Sequence, residues 1–334
     1  MRHVRHMLCM FLVKYSRLLK SIAITMLFAN LTAAQALPHA GPRRPATVPA
    51  DYVITPFGYF HPSCVTHLAK GDVVRQDENA IQHANGTYDN IHACAYAHYE
   101  ADGKKATRDE RAVRQPTISH AWVEYVSTTT SSSYGLMEAH WNVPPAPSTN
   151  DGQTVYLFPG MEDSNDVVTI IQPVLGWNSD YASAWGIASW NCCASGTVFE
   201  ATPTQVNPGD TIWGYMFDTC ASGTLSCPSW DIVTYDVTSG NYSELQNTSS
   251  QGQTFNWAFA AALEVYNIVQ CSDYPPGGLI SSTGQGLAFY DLELYNYDLV
   301  QIANPAWSVT NLSSGLTPQC GYGGSLRQQV LLNY

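Results

Sequence analysis

Glu264 has the clearest setting for chemistry in this sequence, because it is a lone carboxylate near the end of an apolar run at residues 255–266. If the run is a β-strand, alternate side chains face opposite ways. One face is then predicted to pack in a core, and it carries Phe255, Trp257, Phe259, Ala261, Leu263 and Val265. The opposite face carries Asn256, Ala258, Ala260, Ala262, Glu264 and Tyr266. Small side chains beside one acid leave room for an extended peptide, which Glu264 would attack through a water molecule.

The same run has a competing interpretation as an amphipathic helix. Its alanines, its leucine and its glutamate favour a helix by intrinsic propensity, and Glu264 would then be an ordinary solvated acid. The strand-rich sequence around the run favours the strand.

Other hydrolytic chemistries lack their residues after position 116. Only His120 and His140 remain there, and neither Gly-x-Ser-x-Gly nor the Asp-Thr/Ser-Gly of paired-aspartate proteases occurs. No cluster has metal-ligand spacing in this part, so we expect no metal and no other cofactor. Nearer the N-terminus, His61…Cys64…His67 and His92…Cys94…His98 have spacings that zinc could use, but cysteines of exported proteins usually form disulfides.

Charge divides the chain sharply. Of 15 Lys and Arg residues, all but Arg327 lie at or before Arg114. Residues 115–334 contain 18 Asp and Glu, which gives a formal charge of 1 − 18 = −17. This acidity predicts either simple solubility or activity in an acidic medium, where protonated carboxylates repel less. In both cases we expect neither nucleic acid nor anionic membranes as partners.

The N-terminus indicates export. Basic residues precede the apolar run at 21–29, and Ala34-Gln35-Ala36 is a small-x-small cleavage site, so residues 1–36 are predicted to be a signal peptide of a secreted protein. Eight cysteines remain after it, and Cys64–Cys94 and Cys220–Cys227 are the expected local disulfides, with the partners of Cys192 and Cys193 left open. Sequons for glycosylation occur at Asn85, Asn241, Asn247 and Asn311.

Residues 37–116 are interpreted as a propeptide-like segment. The part at 51–103 is rich in histidine and is followed by a charged linker at 104–114. A basic linker before a very acidic domain suggests a processing site, and acidification would charge the histidines and weaken their fit to the domain they cover. An ordinary small domain on a solvated tether is the alternative.

Residues 117–334 have an all-β pattern. Short runs of Val, Ile, Tyr, Trp and Thr alternate with turn-forming clusters. The predicted strands are 121–126, 134–143, 154–158, 167–172, 184–190, 197–202, 211–217, 231–237, 255–266, 288–295 and 328–332. So many strands predict two antiparallel sheets packed face to face.

Several short segments, in common order, resemble the eqolisins, a family of fungal glutamic peptidases. They are Asn142-Val143-Pro144; Gly160 followed by Thr169-Ile170-Ile171-Gln172 and Trp177; Asn207-Pro208-Gly209-Asp210-Thr211-Ile212; Ala262-Leu263-Glu264; and Asp291-Leu292-Glu293-Leu294. Pro173-Val174 follow Gln172 where the family has Thr-Gly, Phe158 replaces a tryptophan, and only Trp190 represents the family's Trp-x-x-Trp.

This resemblance implies a concanavalin-like β-sandwich with Gln172 and Glu264 as a catalytic dyad. Glu264 would be the general base and then the general acid, and the Gln172 amide would donate to the oxyanion. Trp177, Trp190, Phe158 and Tyr266 are the candidate residues of the substrate groove. The expected enzyme is a secreted, monomeric, acid-acting endopeptidase made as a zymogen, with polypeptide substrates.

Two other functions remain open on the same sandwich. A glycoside hydrolase would use two of Glu138, Glu264 and Glu293. A lectin-like carbohydrate-binding module would have no catalysis.

Overall fold

Strands run along almost the whole chain, where β-branched and aromatic residues alternate with turns. The computed structural model describes residues 44–75, 79–106, 122–165, 168–192, 196–276, 287–314, 318–326 and 330–333. The predicted signal peptide and most of the charged linker lie outside these residues. Residues 40–334 form one compact unit.

The part of the chain before the linker, residues 44–106, is called here the covering segment. Its six strands are β1 Val53–Thr55, β2 Gly58–Phe60, β3 Val65–Leu68, β4 Val73–Arg75, β5 Ala80–Gln82 and β6 Tyr88–Asn90. A single-turn 3₁₀ helix, Pro62–Cys64, precedes β3.

The remainder, from residue 122 onward, is called the sandwich. Its strands are β7 Trp122–Thr129, β8 Tyr134–Asn142, β9 Thr154–Glu162, β10 Ile170–Trp177, β11 Trp185–Cys192, β12 Val198–Ala201, β13 Thr204–Val206, β14 Thr211–Asp218, β15 Ser229–Asp236, β16 Tyr242–Ser249, β17 Trp257–Tyr266, β18 Leu287–Asn296, β19 Ser308–Asn311, β20 Ser325–Leu326 and β21 Val330–Leu332. A second 3₁₀ helix spans Cys271–Asp273.

Two large sheets contain all of these strands except β1 and β2, which form their own hairpin. The first sheet has the order β19-β7-β17-β9-β10-β11-β12-β3, with β13 also paired to β11. The second has the order β20-β21-β18-β8-β14-β15-β16-β4-β5-β6. Among the described strands the pairing is antiparallel except where the covering segment joins, because β3 is parallel to β12 and β4 is parallel to β16.

The predicted all-β, two-sheet sandwich is therefore confirmed. Each of the eleven predicted strands overlaps an observed strand, although the one predicted at 167–172 lies at Ile170–Trp177. The prediction did not include the strands that the covering segment adds to both sheets.

The first sheet is buried on both faces. Its inner face packs against the second sheet in a core that includes Leu157, Leu175, Leu263, Met216 and Trp141. Its outer face forms a second apolar cluster with the covering segment. Because both faces are covered, β9, β10 and β11 are buried along their whole length.

Disulfides fix local loops on each part of the chain. The predicted pairs Cys64–Cys94 and Cys220–Cys227 are both present, and Cys271 pairs with Cys320. Cys192 is also disulfide-bonded. The two histidine-rich zinc candidates thus lose their thiolate ligands, because Cys64 and Cys94 are bonded to each other. Within the described ranges, no helix is long and apolar enough to span a membrane.

Candidate active site

Gln172 lies on the outer face of the first sheet, in the middle of β10. Its neighbours two positions away, Ile170 and Val174, belong to the outer apolar cluster, whereas Ile171 and Leu175 pack in the inner core. The side chain is fully buried. Its Nε2 donates to the carbonyl oxygen of Pro56 at 3.3 Å, and its Oε1 has no hydrogen-bond partner in the described structure.

Glu264 lies on the same outer face, near the end of β17. Ala262 and Tyr266, two positions to either side, both belong to the outer cluster. The Tyr266 hydroxyl donates to Glu264 Oε1 at 2.6 Å, while Oε2 has no hydrogen-bond partner among the described residues. Burial raises the pKa of Glu264 to about 8, and the side chains of Tyr266 and Trp122 oppose this only in part.

The predicted division of β17 into two faces is wrong in its first half. Irregular pairing with both neighbouring strands between Phe259 and Ala262 changes the alternation. Trp257 and Phe259 consequently lie on the outer face, and Ala258 and Ala260 lie in the inner core. The outer face is therefore not a row of small residues open to solvent.

The candidate dyad shares a face but not a row of cross-strand neighbours. Glu264 pairs with Tyr156 on β9, and Tyr156 pairs with Gly176 on β10. Gln172 lies four positions from Gly176 along β10 and pairs with Trp190 on β11. Two strand spacings and four residues thus separate their Cα atoms, and the two side chains have to extend toward each other over β9 to reach one peptide bond.

A third polar residue on this face, Glu162, was missed by the sequence analysis. It is 4% exposed, and its pKa is raised to about 8, first by desolvation and then by the charge of Glu264. The sequence contains the signal for this placement, because alternation along β9 puts Glu162 on the same side as Phe158 and Gly160.

The four groove candidates divide between the two faces. Trp190, Phe158 and Tyr266 lie in the outer cluster with the dyad. Trp177 lies instead in the core between the sheets, edge-on to Trp185 at a ring-centroid distance of 5.4 Å.

The β1–β2 hairpin of the covering segment occupies this face. Beside the Pro56 carbonyl that accepts from Gln172, the Ile54 carbonyl accepts from the Tyr156 hydroxyl at 3.3 Å. Tyr59 packs edge-on against Tyr266 at 5.5 Å between ring centroids. The covering segment, rather than the second sheet, thus packs on Gln172 and on Tyr266, the hydrogen-bond partner of Glu264.

Two of the segment's histidines have acidic partners. His67 Nδ1 lies 2.9 Å from Glu200 Oε2. His83 lies 3.0 Å from both Asp72 and Asp89, and its pKa is raised by hydrogen bonds to Asp89 and then Asp72. The two carboxylates thus favour the protonated form of His83, and the effect of acidification on the covering segment as a whole stays a prediction.

The other candidate carboxylates, Glu138 and Glu293, lie on the outer face of the second sheet, on adjacent strands and directly opposite each other. Burial and the nearby Glu293 carboxyl raise the pKa of Glu138, against a hydrogen bond from Trp213. Glu138 and Glu293 are therefore the closest pair among the three candidate glycosidase carboxyl groups. Glu264, on the other sheet, is separated from both by the sandwich core.

Comparisons with known proteins concern the fold. No family model matches this sequence, and no curated protein sequence matches it. The structure is similar to that of scytalido-glutamic peptidase with a peptide-based transition-state analogue, at 15% identity and a TM-score of 0.44, over 64% of this chain and 98% of that one. It is also similar to SCP-B, described as a member of the eqolisin family in a complex with the tripeptide Ala-Ile-His, at 15% identity and a TM-score of 0.43, over the same shares of the two chains.

Proposed function

We propose that this protein is a secreted glutamic endopeptidase made as a proenzyme, with Glu264 and Gln172 as its catalytic residues. The proposal rests on the arrangement of side chains on the outer face of the first sheet. Both side chains point to this face, each keeps an unpaired buried oxygen, and a peptide hairpin already lies over them. Buried polar atoms without partners are rare in proteins, and a functional role explains them.

The proposed reaction is hydrolysis of a peptide bond. Glu264 takes a proton from water as the water oxygen attacks the carbonyl carbon, and the Gln172 amide donates to the oxyanion that forms. Glu264 then gives the proton to the leaving nitrogen as the carbon–nitrogen bond breaks, which yields a carboxylic acid and an amine. A neutral amide suits an acidic medium, because acid cannot titrate it away.

The covering segment supports the proenzyme part of the proposal in two ways. The Pro56 carbonyl oxygen accepts the hydrogen bond from the Gln172 amide that the proposed reaction needs for the oxyanion. Burial also holds the pKa of Glu264 at about 8, so the covered carboxyl is protonated at neutral pH and cannot act as a base. Release of the segment would rehydrate Glu264 and let its pKa fall toward the ordinary 4.5, where an acidic medium gives it both roles.

Activity measurements on the full chain test this proposal. A recognition sequence for an added protease, placed within residues 107–116, allows every variant to be processed without relying on its own activity. Haemoglobin or casein digestion is then measured from about pH 3 to pH 7 with pepstatin present. Glu264→Gln and Gln172→Ala are expected to lower turnover by about 10²-fold or more each.

Glu244→Gln is the matched control, because Glu244 is a half-buried acid on the second sheet, away from the dyad. Circular dichroism checks that each variant is folded. Full activity in a folded Glu264→Gln or Gln172→Ala protein would remove that residue from the mechanism.

The second sheet offers an alternative function in carbohydrate binding. Half-buried aromatic rings form a row across five of its strands, composed of Tyr290, His140, Trp213, Tyr235 and Tyr242. Such rings can stack on sugars, with Glu138 and Glu293 beside them as hydrogen-bond acceptors. Retarded migration of the protein in gels containing soluble polysaccharide, abolished by Trp213→Ala, would favour this alternative.

A further inference from the structure

A second pair of acidic side chains lies beside the candidate active site, at the β12 edge of the outer face. Glu200 on β12 pairs with Trp190 on β11, and Trp190 pairs with Gln172 on β10. Since adjacent strands lie about 4.8 Å apart, Glu200 is about 10 Å from Gln172 along the same row. An extended peptide whose scissile carbonyl lies at Gln172 would reach Glu200 with a side chain one or two residues away.

The loop between β10 and β11 brings Asp180 to Glu200. This loop folds back over the sheet because Gly176 and Gly186 have no side chains. A Cβ on Gly176 would lie 2.7 Å from Ser179, and one on Gly186 would lie 2.8 Å from the Tyr181 ring. Asp180 lies at the surface, with its carboxyl group beside that of the buried Glu200.

Glu200 is unusual because it is 1% exposed and, within the part of the chain that the structure describes, has no Lys or Arg partner. Its Oε1 has no hydrogen-bond partner among the described residues. Its Oε2 lies 2.9 Å from Nδ1 of His67. His67 belongs to the covering segment and pairs with Glu200 across β3 and β12. The basic side chain at this acidic pair thus belongs to the chain that covers the active site.

From this arrangement we infer that Asp180 and Glu200 form a specificity subsite for a basic side chain of the substrate, which can be Lys, Arg or His. The inference rests on the proposed function. His67 holds the position that the substrate side chain takes once the covering segment has left. The sandwich offers few cations to neutralise the pair, because Arg327 is the only Lys or Arg after residue 114. A donor from the substrate would complete the hydrogen bonding of Glu200, which now has one unused oxygen.

Matched peptide substrates test the inference on the full chain cut within residues 107–116. Quenched fluorescent peptides differ at a single position, with Lys against norleucine or Arg against citrulline, and the position is moved along the peptide. One position is expected to show a kcat/KM ratio of about tenfold to a hundredfold in favour of the basic residue, as for a charged hydrogen bond. Glu200→Gln and, separately, Asp180→Asn should bring that ratio close to one. Glu244→Gln should keep the preference.

The outcomes separate the two proposals. If Glu264→Gln abolishes cleavage but wild type shows no preference at any position, or Glu200→Gln keeps it, the subsite is refuted and the catalytic proposal stands. If the peptides are not cleaved, calorimetry on the cut protein still decides the subsite. Tighter binding of the Lys peptide that is lost in Glu200→Gln supports it, and equal binding of both peptides refutes it.

Discussion

Glu264 and Glu162 are buried carboxyl groups that have no cation beside them among the residues that the structure describes. Burying an ionised carboxylate without a partner is very costly, so such groups bind a proton instead. The pKa of each is accordingly raised to about 8. Glu264 and Glu162 are therefore mostly neutral at neutral pH, and they ionise more readily once water or a cation reaches them.

The pH dependence of stability should report on Glu264 directly. Its pKa is about 8 in the folded chain and near 4.5 when unfolded, so the folded state binds the proton more tightly between these values. By linkage, the stabilisation is fully present below about pH 4.5 and is lost as the pH rises to about 8. Glu264→Gln mimics the neutral form at every pH. Its melting temperature should therefore exceed that of wild type at pH 8 and match it at pH 4.5.

Thermal unfolding by circular dichroism at about pH 4.5, 6 and 8 checks this expectation. Glu244→Gln, far from the outer face, should show no such pH-dependent difference from wild type. A Glu264→Gln protein that melts below wild type at pH 8 would mean that the carboxyl is ionised and paired in the folded chain.

At the level of elements, the strand pattern of the sandwich was predictable, whereas the covering contacts were not. Alternation of large residues located β8, β14 and β18 within a residue or two. It failed within β17, because a run of alanines carries no size pattern that could reveal irregular pairing at Ala260 and Ala261. β16 was missed because its residues are mostly polar. The strands of the covering segment have only three or four residues, and several of them are defined by pairing with distant parts of the chain, which no local pattern encodes.

The β1–β2 hairpin is expected to depend on Gly58. Its φ of +117° is unfavourable for other residues, and an added Cβ would lie 2.4 Å from the backbone oxygen of Tyr99. Gly58→Ala should therefore displace the hairpin and destabilise it by roughly 1–3 kcal/mol. Because the hairpin covers Gln172, the uncut variant should digest haemoglobin faster than uncut wild type.

Gly86→Ala is the control for backbone strain alone. It lies in the same segment with a φ of +84°, but an added Cβ would contact nothing within 4 Å. It should leave the activity of the uncut chain at the wild-type level. Equal activity of uncut Gly58→Ala and wild type, with the variant folded, would show that the hairpin does not block the site.

At the scale of the whole molecule, the covering segment contributes strands to both sheets, but its covalent connection to the sandwich is the backbone of the linker. It adds β3 to one sheet and β4 to β6 to the other, and it shares an apolar cluster with the sandwich. Its two cysteines pair with each other. Both cysteines being used internally, no disulfide can join the segment to the sandwich.

The full chain cut within residues 107–116 should therefore separate into two fragments on a denaturing gel without reducing agent. Under native conditions the strand pairing and the apolar cluster should first hold the fragments together, so that gel filtration gives one peak immediately after cutting. Raising the pH from about 4.5 to 8 should favour separation. Exposure to water lowers the pKa of Glu264 and Glu200, and the proton loss that follows stabilises the released form. Fragments that stay together on the denaturing gel until reductant is added would show a covalent link, and the segment could then not leave the active site as a propeptide.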